Sequence, residues 1–268
     1  MEVIICETPE EVGRLAAAKV SRVVRDRGPE AVLGLSTGSS PLAAYADLAR
    51  RIEAGELDLS RARGFALDEY VGLPPGHPES YAEVIRATVT DPLRMDPLRV
   101  SCPDGFATDT DAAARHYEEA IKAAGGIDIQ ILGVGENGHI GFNEPSSSLS
   151  SRTRVKTLTR TTREANSRFF ETLDDVPRHC LTQGLGTIMD AREVVLMAQG
   201  SHKASAIAGL IEGPLSARCP GSVLQLHPAA TVIIDRAAAA ELEGQEYYEE
   251  TYRNKPAWQR FEDPAPWK

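Results

Sequence analysis

The sequence predicts a doubly wound, Rossmann-like α/β fold, a mostly parallel sheet with helices on both faces. Three observations predict it. Short, almost wholly apolar runs recur along the chain, as strands buried on both faces require. Amphipathic helical stretches separate them, the alternation that builds parallel sheets. No linker, repeat or low-complexity tract divides the 268 residues, so we expect a single domain over 1–268.

The expected strands are Val3–Cys6, Ala31–Leu35, Gly64–Leu67, Ile127–Val134, Val194–Ala198 and Thr231–Asp235. The expected helices are Glu10–Arg25, Leu42–Ala54, Tyr81–Thr90, Asp111–Ala123 and His202–Ile211. The widest gap between strands, roughly 136 to 193, holds more chain than one crossover helix needs. Its Ser-rich start and the basic run that follows predict a loop and a lid-like helix, and the Thr161/Glu164 spacing starts that helix near Thr162. The Pro-containing polar tail, about 259–268, is expected to be loosely held.

Composition narrows the function. A formal net charge of −10 argues against coating nucleic acid or an anionic membrane. The sequence holds no run of 18 apolar residues, and MEVIICETPEEV lacks the basic start and longer apolar stretch of a signal peptide. Cys6, Cys102, Cys180 and Cys219 are scattered without a CxxC pair, which fits a reducing cytoplasm and neither a disulfide framework nor a zinc site. Against the acidic balance, Arg152, Arg154, Lys156, Arg160, Arg163 and Arg168 are opposed only by Glu164. A solvated helix face and a site for small anions both remain open for that run.

In doubly wound folds ligands gather where strands end, so chemistry is sought there. The second strand runs into Ser36-Thr37-Gly38-Ser39-Ser40-Pro41 and a helix. The hydroxyls and first-turn N–H groups suit a phosphate, although a plain βα turn has similar composition. The third strand ends at Asp68-Glu69, where a carboxylate could act as general base. The fourth delivers GVGENGHIGFNEP, residues 133–145. Its GxGxxG is not a dinucleotide fingerprint, since Gly141 and Pro145 break the helix that fingerprint must open. His139, between Asn137 and Glu144, is a candidate proton shuttle oriented by a carboxylate. The fifth strand ends at Gly200-Ser201-His202-Lys203, and Lys203 with Arg168 would complete an anion pocket. No His, Cys or carboxylate spacing matches a metal site, so no metal is expected.

These motifs carry a resemblance. LGLSTGSSP (33–41), LDEYVGLPPGHPESY (67–81), LGVGENGHIGFNEPSSSLSSRTRVKTLT (132–159), NSRFF (166–170), GSHKA (200–204) and LQLHP (224–228) resemble glucosamine-6-phosphate deaminases, also called isomerases, over almost the whole chain. The resemblance implies conversion of glucosamine 6-phosphate to fructose 6-phosphate and ammonia, in N-acetylglucosamine breakdown, without a cofactor. It implies that Asp68 moves the proton between C2 and C1. His139 would open the pyranose ring, with Asn137 and Glu144 as its relay. Thr37, Gly38, Ser39, Ser40, Arg168 and Lys203 would bind the phosphate, under a lid spanning about 158–181. Some members have Asp where this chain has Asn137; an amide orients His139 but does not balance its charge. The resemblance further implies a homo-oligomer, a hexamer by preference, activated by N-acetylglucosamine 6-phosphate at Ser147, Arg154, Lys156 and Thr157. Two rivals are a 6-phosphogluconolactonase-like or other sugar-phosphate enzyme, and a non-catalytic sensor. The sensor ranks last, because it should carry a DNA-binding module for which the sequence leaves no room before Val3.

Overall fold

A computed structural model describes residues 1–261. The strands in chain order are β1 (Glu2–Cys6), β2 (Val32–Leu35), β3 (Arg63–Ala66), β4 (Asp68–Tyr70), β5 (Val100–Ser101), β6 (Ile129–Leu132), β7 (Arg154–Thr157), β8 (His179–Thr182), β9 (Glu193–Ala198) and β10 (Ala230–Asp235). The α-helices are α1 (Pro9–Arg27), α2 (Leu42–Glu53), α3 (Tyr81–Ile85), α4 (Thr110–Ala123), α5 (Arg160–Asn166), α6 (Leu185–Met189), α7 (Ala204–Ile211) and α8 (Gln245–Arg253). Seven strands form a sheet in the order β1-β10-β9-β6-β2-β3-β5, every pair parallel. Side chains alternate between two cores as the pleat demands. Leu33, Leu35, Ile129, Ile131, Val195 and Met197 face one core with α1 and α2. Val32, Leu132, Val194, Leu196 and Ala198 face the other with α4, α6 and α7. Covering both faces is why β2, β6 and β10 are buried at every position.

From β2 the chain winds outward through β3 to β5, then crosses back to β6 and winds the other way through β9 to β10. Adjacent β2 and β6 are therefore the switch point, and the loops leaving their carboxyl ends diverge to open a crevice. Those loops are Ser36–Pro41 and Gly133–Pro145.

A second sheet, β4-β8-β7, is antiparallel and was not foreseen. The chain enters it at one residue: the Leu67 N–H still bonds to Leu35 of β2, while its carbonyl accepts from Gln183 beyond β8. Asp68 thus begins the new sheet, opposite Thr182. The helix expected over Tyr81–Thr90 continues past Ile85 as a π-helical turn, Arg86–Thr90. Helix α5 starts two residues before its expected position: Thr159 is the cap, accepting from the Thr162 N–H at 3.2 Å, and Glu164 pairs with Arg160. Of the tail, residues 262–268 lie outside the described residues; Phe261, just before them, is only 3% exposed in the first core. Among the described residues no helix is long and apolar enough to cross a membrane.

Candidate active site

The anion end forms where β2 meets α2. The Tyr45 hydroxyl both accepts from the Ser36 N–H at 3.1 Å and donates to its carbonyl at 3.0 Å, fixing the start of the loop. No side chain caps α2 and no acidic residue stands in its first turn. The hydroxyls of Thr37, Ser39 and Ser40 have no hydrogen-bond partner among the described residues, leaving an uncontested set of donors. Ser39, Ser40 and Lys203 line a cavity of about 270 Å³ with Pro9, Ala43, Gln199 and His202. Thr37 and Gly38 belong to the same loop but not to the cavity wall.

Opposite, β9 ends in a turn whose Gly200 adopts φ +88°, a left-handed conformation that favours glycine. The buried Asp235 carboxylate holds the Gly200 N–H with both oxygens at 3.0 Å. Burial pushes the Lys203 amine below its ordinary range; Glu136 opposes that shift and Arg168 adds to it. Arg168 thus acts on the same space electrostatically while remaining exposed, its guanidinium 4.7 Å from the Phe169 ring centre.

The second cluster sits across the crevice. Asp68 and Glu69, equivalent in sequence, have opposite surroundings. The Glu69 carboxylate accepts from the backbone N–H groups of Tyr70, Tyr81 and Ala82 at 2.7 to 2.9 Å, which ties it to the start of α3. Asp68 is 6% exposed, and its carboxylate has no hydrogen bond among the described residues. Burial, with a smaller contribution from Glu69, pushes its carboxyl up to about 8. The loop after β6 passes so near that a Cβ on Gly141 would lie 3.6 Å from Asp68 Oδ2.

That loop presents His139. Its ring lies flat against Gly135, where a Cβ would fall 2.3 Å from Cε1, so only glycine fits. The His139 N–H donates to Asn137 Oδ1 at 3.2 Å, and Asn137 Nδ2 donates to Glu144 Oε2 at 2.7 Å. His139 Nδ1 is buried 3.5 Å from the same Glu144 oxygen, within ion-pair reach but without a hydrogen-bond partner. Burial pushes the Glu144 carboxyl up, but His139, Thr162 and Asn137 outweigh it and hold it at about 2. Two buried carboxyls beside one loop are therefore driven in opposite directions, one toward holding a proton and one toward permanent charge.

Residues 158–181 pack against the second cluster. From α5, Thr162 Oγ1 donates to Glu144 Oε1 at 2.5 Å and Asn166 Nδ2 donates to the Tyr70 hydroxyl at 2.9 Å. Phe170 meets Tyr70 edge-on at 5.8 Å and stacks near His77. The sequence reading missed Thr162, Tyr70 and Asp235 as site residues. Tyr70, Asn166 and Phe170 lay within quoted motifs and carried that much signal.

The basic run is mostly used within the fold. Arg152 pairs with Glu118 and Asp190, Arg160 with Glu164, and Arg163 donates to the carbonyls of Leu173 and Val176. Of the expected effector residues, Ser147 is buried with its hydroxyl on the Glu144 carbonyl, and Arg154 turns to Asn143 Oδ1 at 2.8 Å. The side chains of Lys156 and Thr157 make no hydrogen bond or ion pair among the described residues. No group of three or more His, Cys, Asp or Glu side chains among the described residues could hold a metal ion.

Comparison with known proteins identifies relatives of this chain. The chain is 58% identical over 259 residues to the glucosamine-6-phosphate deaminase of Pseudarthrobacter chlorophenolicus, covering 97% of this chain and 99% of the relative. It is 56% identical over 260 residues to that of Mycolicibacterium smegmatis, covering 97% and 99%. A solved monomeric glucosamine-6-phosphate deaminase superposes with a TM-score of 0.86 at 41% identity, over 90% of this chain and 99% of that one. The 6-phosphogluconolactonase of Trypanosoma cruzi shares the fold, with a TM-score of 0.73 at 21% identity over 90% and 97% of the chains. The monomeric relative overturns the expectation of a hexamer. Within the chain, Arg152, Arg154, Arg160 and Arg163 of the basic run already have partners, which leaves less free charge there for a second anion. The family model for glucosamine-6-phosphate isomerases/6-phosphogluconolactonase matches residues 7–234, and the chain belongs to that family.

Proposed function

We propose that this chain converts glucosamine 6-phosphate and water to fructose 6-phosphate and ammonia, a step in amino-sugar breakdown. The observation that carries the reading is the pair of buried carboxyls at one crevice, Asp68 raised to about 8 and Glu144 lowered to about 2, with an anion pocket opposite. Carboxyls pushed apart in this way divide base and relay roles between them.

In this reading the Thr37–Ser40 loop, Lys203 and Arg168 hold the phosphate and so place C1 and C2 beside Asp68. His139, oriented by Glu144 and Asn137, moves a proton between the ring oxygen and the C1 hydroxyl to open the pyranose. Asp68 then takes the C2 proton and returns it at C1, turning the aldose amine into a C2 imine. Water adds to the imine carbon and ammonia leaves. Each step is a proton transfer or an addition that the side chains serve directly, so the proposal requires no cofactor. Residues 158–181 act as the lid, residues 1–268 as one domain, and the scattered thiols support a cytoplasmic setting.

The test is to supply glucosamine 6-phosphate to the pure protein and measure both products. Equal amounts of ammonia and fructose 6-phosphate are expected, with unphosphorylated glucosamine a very poor substrate because remote phosphate binding lowers the barrier. Fructose 6-phosphate without ammonia, or equal use of glucosamine, refutes the proposal.

A further inference from the structure

We propose that Thr162, carried by the segment that closes over the site, is a positioning residue for the Glu144–His139 pair. The inference rests on the deaminase reading and adds to it a group that nothing in the chemistry of ring opening demands.

Glu144 is buried at 3% exposure, and each of its oxygens has a separate set of partners. Oε2 accepts from Asn137 and faces His139, both from its own loop. Among the described residues Oε1 is served only from outside that loop, by Thr162 Oγ1 at 2.5 Å and Thr159 Oγ1 at 3.3 Å. These two hydroxyls are not equivalent. Thr159 has one proton, and its better-placed acceptor is Thr162 Oγ1 at 3.0 Å. Its oxygen is already occupied by the Thr162 N–H, as the cap of α5. The hydroxyls therefore run in one direction, Thr159 to Thr162 to Glu144, and Thr162 is the committed donor. Thr162 is itself buried, so water does not replace it.

The consequence falls on His139. Its Nδ1 is buried without a hydrogen bond, 3.5 Å from Glu144 Oε2. A small rotation of the carboxylate decides whether Nδ1–H finds its acceptor, and thereby which ring nitrogen carries the proton. Thr162 pins the opposite oxygen and fixes that rotation. One helical turn later on the same face, Asn166 holds the Tyr70 hydroxyl, two residues from Asp68. Helix α5 thus reaches both proton-handling clusters, and seating it over the site completes the environment of Glu144.

The test uses Thr162→Val, which removes the hydroxyl at nearly constant shape, and Thr162→Ser, which restores it, each in the wild-type and Glu144→Gln backgrounds. Losing a hydrogen bond to a charged group predicts a fall in kcat of about tenfold or more, with KM within about twofold. Thr162→Ser should recover to within about threefold of wild type. In the Glu144→Gln background the same Val substitution should change kcat less than about twofold, because its route of action is gone. A loss just as large in that background makes Thr162 a structural lid residue and overturns the proposal, as does wild-type kcat in Thr162→Val. If the valine variant melts early, Thr162→Ala carries the same prediction. A second readout needs no turnover: ¹⁵N NMR of the imidazoles should show a changed His139 tautomer balance in Thr162→Val, and an unchanged spectrum refutes the coupling. Wild-type protein that releases no ammonia would instead refute the deaminase reading, leaving the NMR result to judge Thr162.

Discussion

Replacing Asp68 with Asn should stabilise the protein while sharply reducing its turnover. Burial raises this carboxyl from an ordinary 3.8 to about 8, and no donor among the described residues compensates its charge. Because the folded-state value is raised, the folded chain holds a proton that the unfolded chain releases. The penalty is absent below about pH 4, grows as pH rises, and is complete only above about pH 8. At ~1.4 kcal/mol per pH unit the full displacement sets a ceiling of ~6 kcal/mol. Local relaxation and an effective dielectric well above that of a dry interior bring the realised value to ~2–3 kcal/mol. Asn keeps the shape without the charge, so Asp68→Asn should gain that amount at pH 8 to 9 and almost nothing at pH 4. For a chain of this length that is a rise in Tm on the order of 4–10 °C. Ammonia release should fall by ~10²–10⁴, the usual contribution of a general base, while a substrate analogue binds within about twofold of wild type. Thermal melts across pH, paired with the product assay, measure both halves. A stability change that is absent, or equal at pH 4 and pH 9, would show that the carboxylate is not raised by burial, and near-normal turnover would remove the base from this position.

Three further outcomes follow from neighbouring geometry. Gly135→Ala places a Cβ 2.3 Å from the His139 ring and should displace it, lowering kcat ~10²-fold with little change in KM; steady-state kinetics at normal activity would show that the ring has room to move. Lys203→Gln should raise KM for glucosamine 6-phosphate by ~10-fold or more, consistent with a lost charged contact, and leave the weak reaction of unphosphorylated glucosamine unchanged; equal effects on both substrates would take Lys203 out of the phosphate pocket. Dialysis against a chelator should leave ammonia release unchanged, and loss restored by one specific ion would overturn the cofactor-free reading.

What the sequence revealed and what it concealed divide along a physical line. Six of the seven strands of the parallel sheet were legible because burial on both faces leaves runs such as Ile129–Leu132 with almost no polar residue; β5, a two-residue, half-buried edge strand, was not. The second sheet was not legible. Its strands read Asp-Glu-Tyr, Arg-Val-Lys-Thr and His-Cys-Leu-Thr, short and charged, with no apolar pattern to count. The start of α5 was misplaced because Thr159, Thr161 and Thr162 are chemically interchangeable caps, and only the path of the chain decides among them. Asp68 and Glu69 posed the same difficulty. Residue type gave two equal carboxylates, and separating them required knowing that backbone N–H groups from α3 converge on one and none on the other. The basic run misled for a related reason, since the partners of Arg152 lie 34 and 38 residues away in sequence.

The second sheet also explains how acid/base groups from distant parts of the chain keep a common frame. Asp68 of β4 and Arg154 of β7 are both register partners of Thr182, so the three form one row across the small sheet. The Thr182 hydroxyl in turn accepts from the Phe142 N–H at 3.0 Å, within the loop that presents His139. Asn143, the next residue, donates to the carbonyls of Ile140 and Gln183, while Gln183 donates its backbone N–H to Leu67 and its side-chain amide to Ala66. Asp68 and the His139 loop are thus joined through main-chain pairing and three buried amide or hydroxyl side chains. They do not depend on contact between the two titrating groups themselves. Such a frame leaves the carboxylate of Asp68 free of donors that would lower its basicity, yet fixes its backbone as firmly as any strand. It places rigidity in Thr182, Asn143 and Gln183, and leaves reactivity to Asp68 and His139.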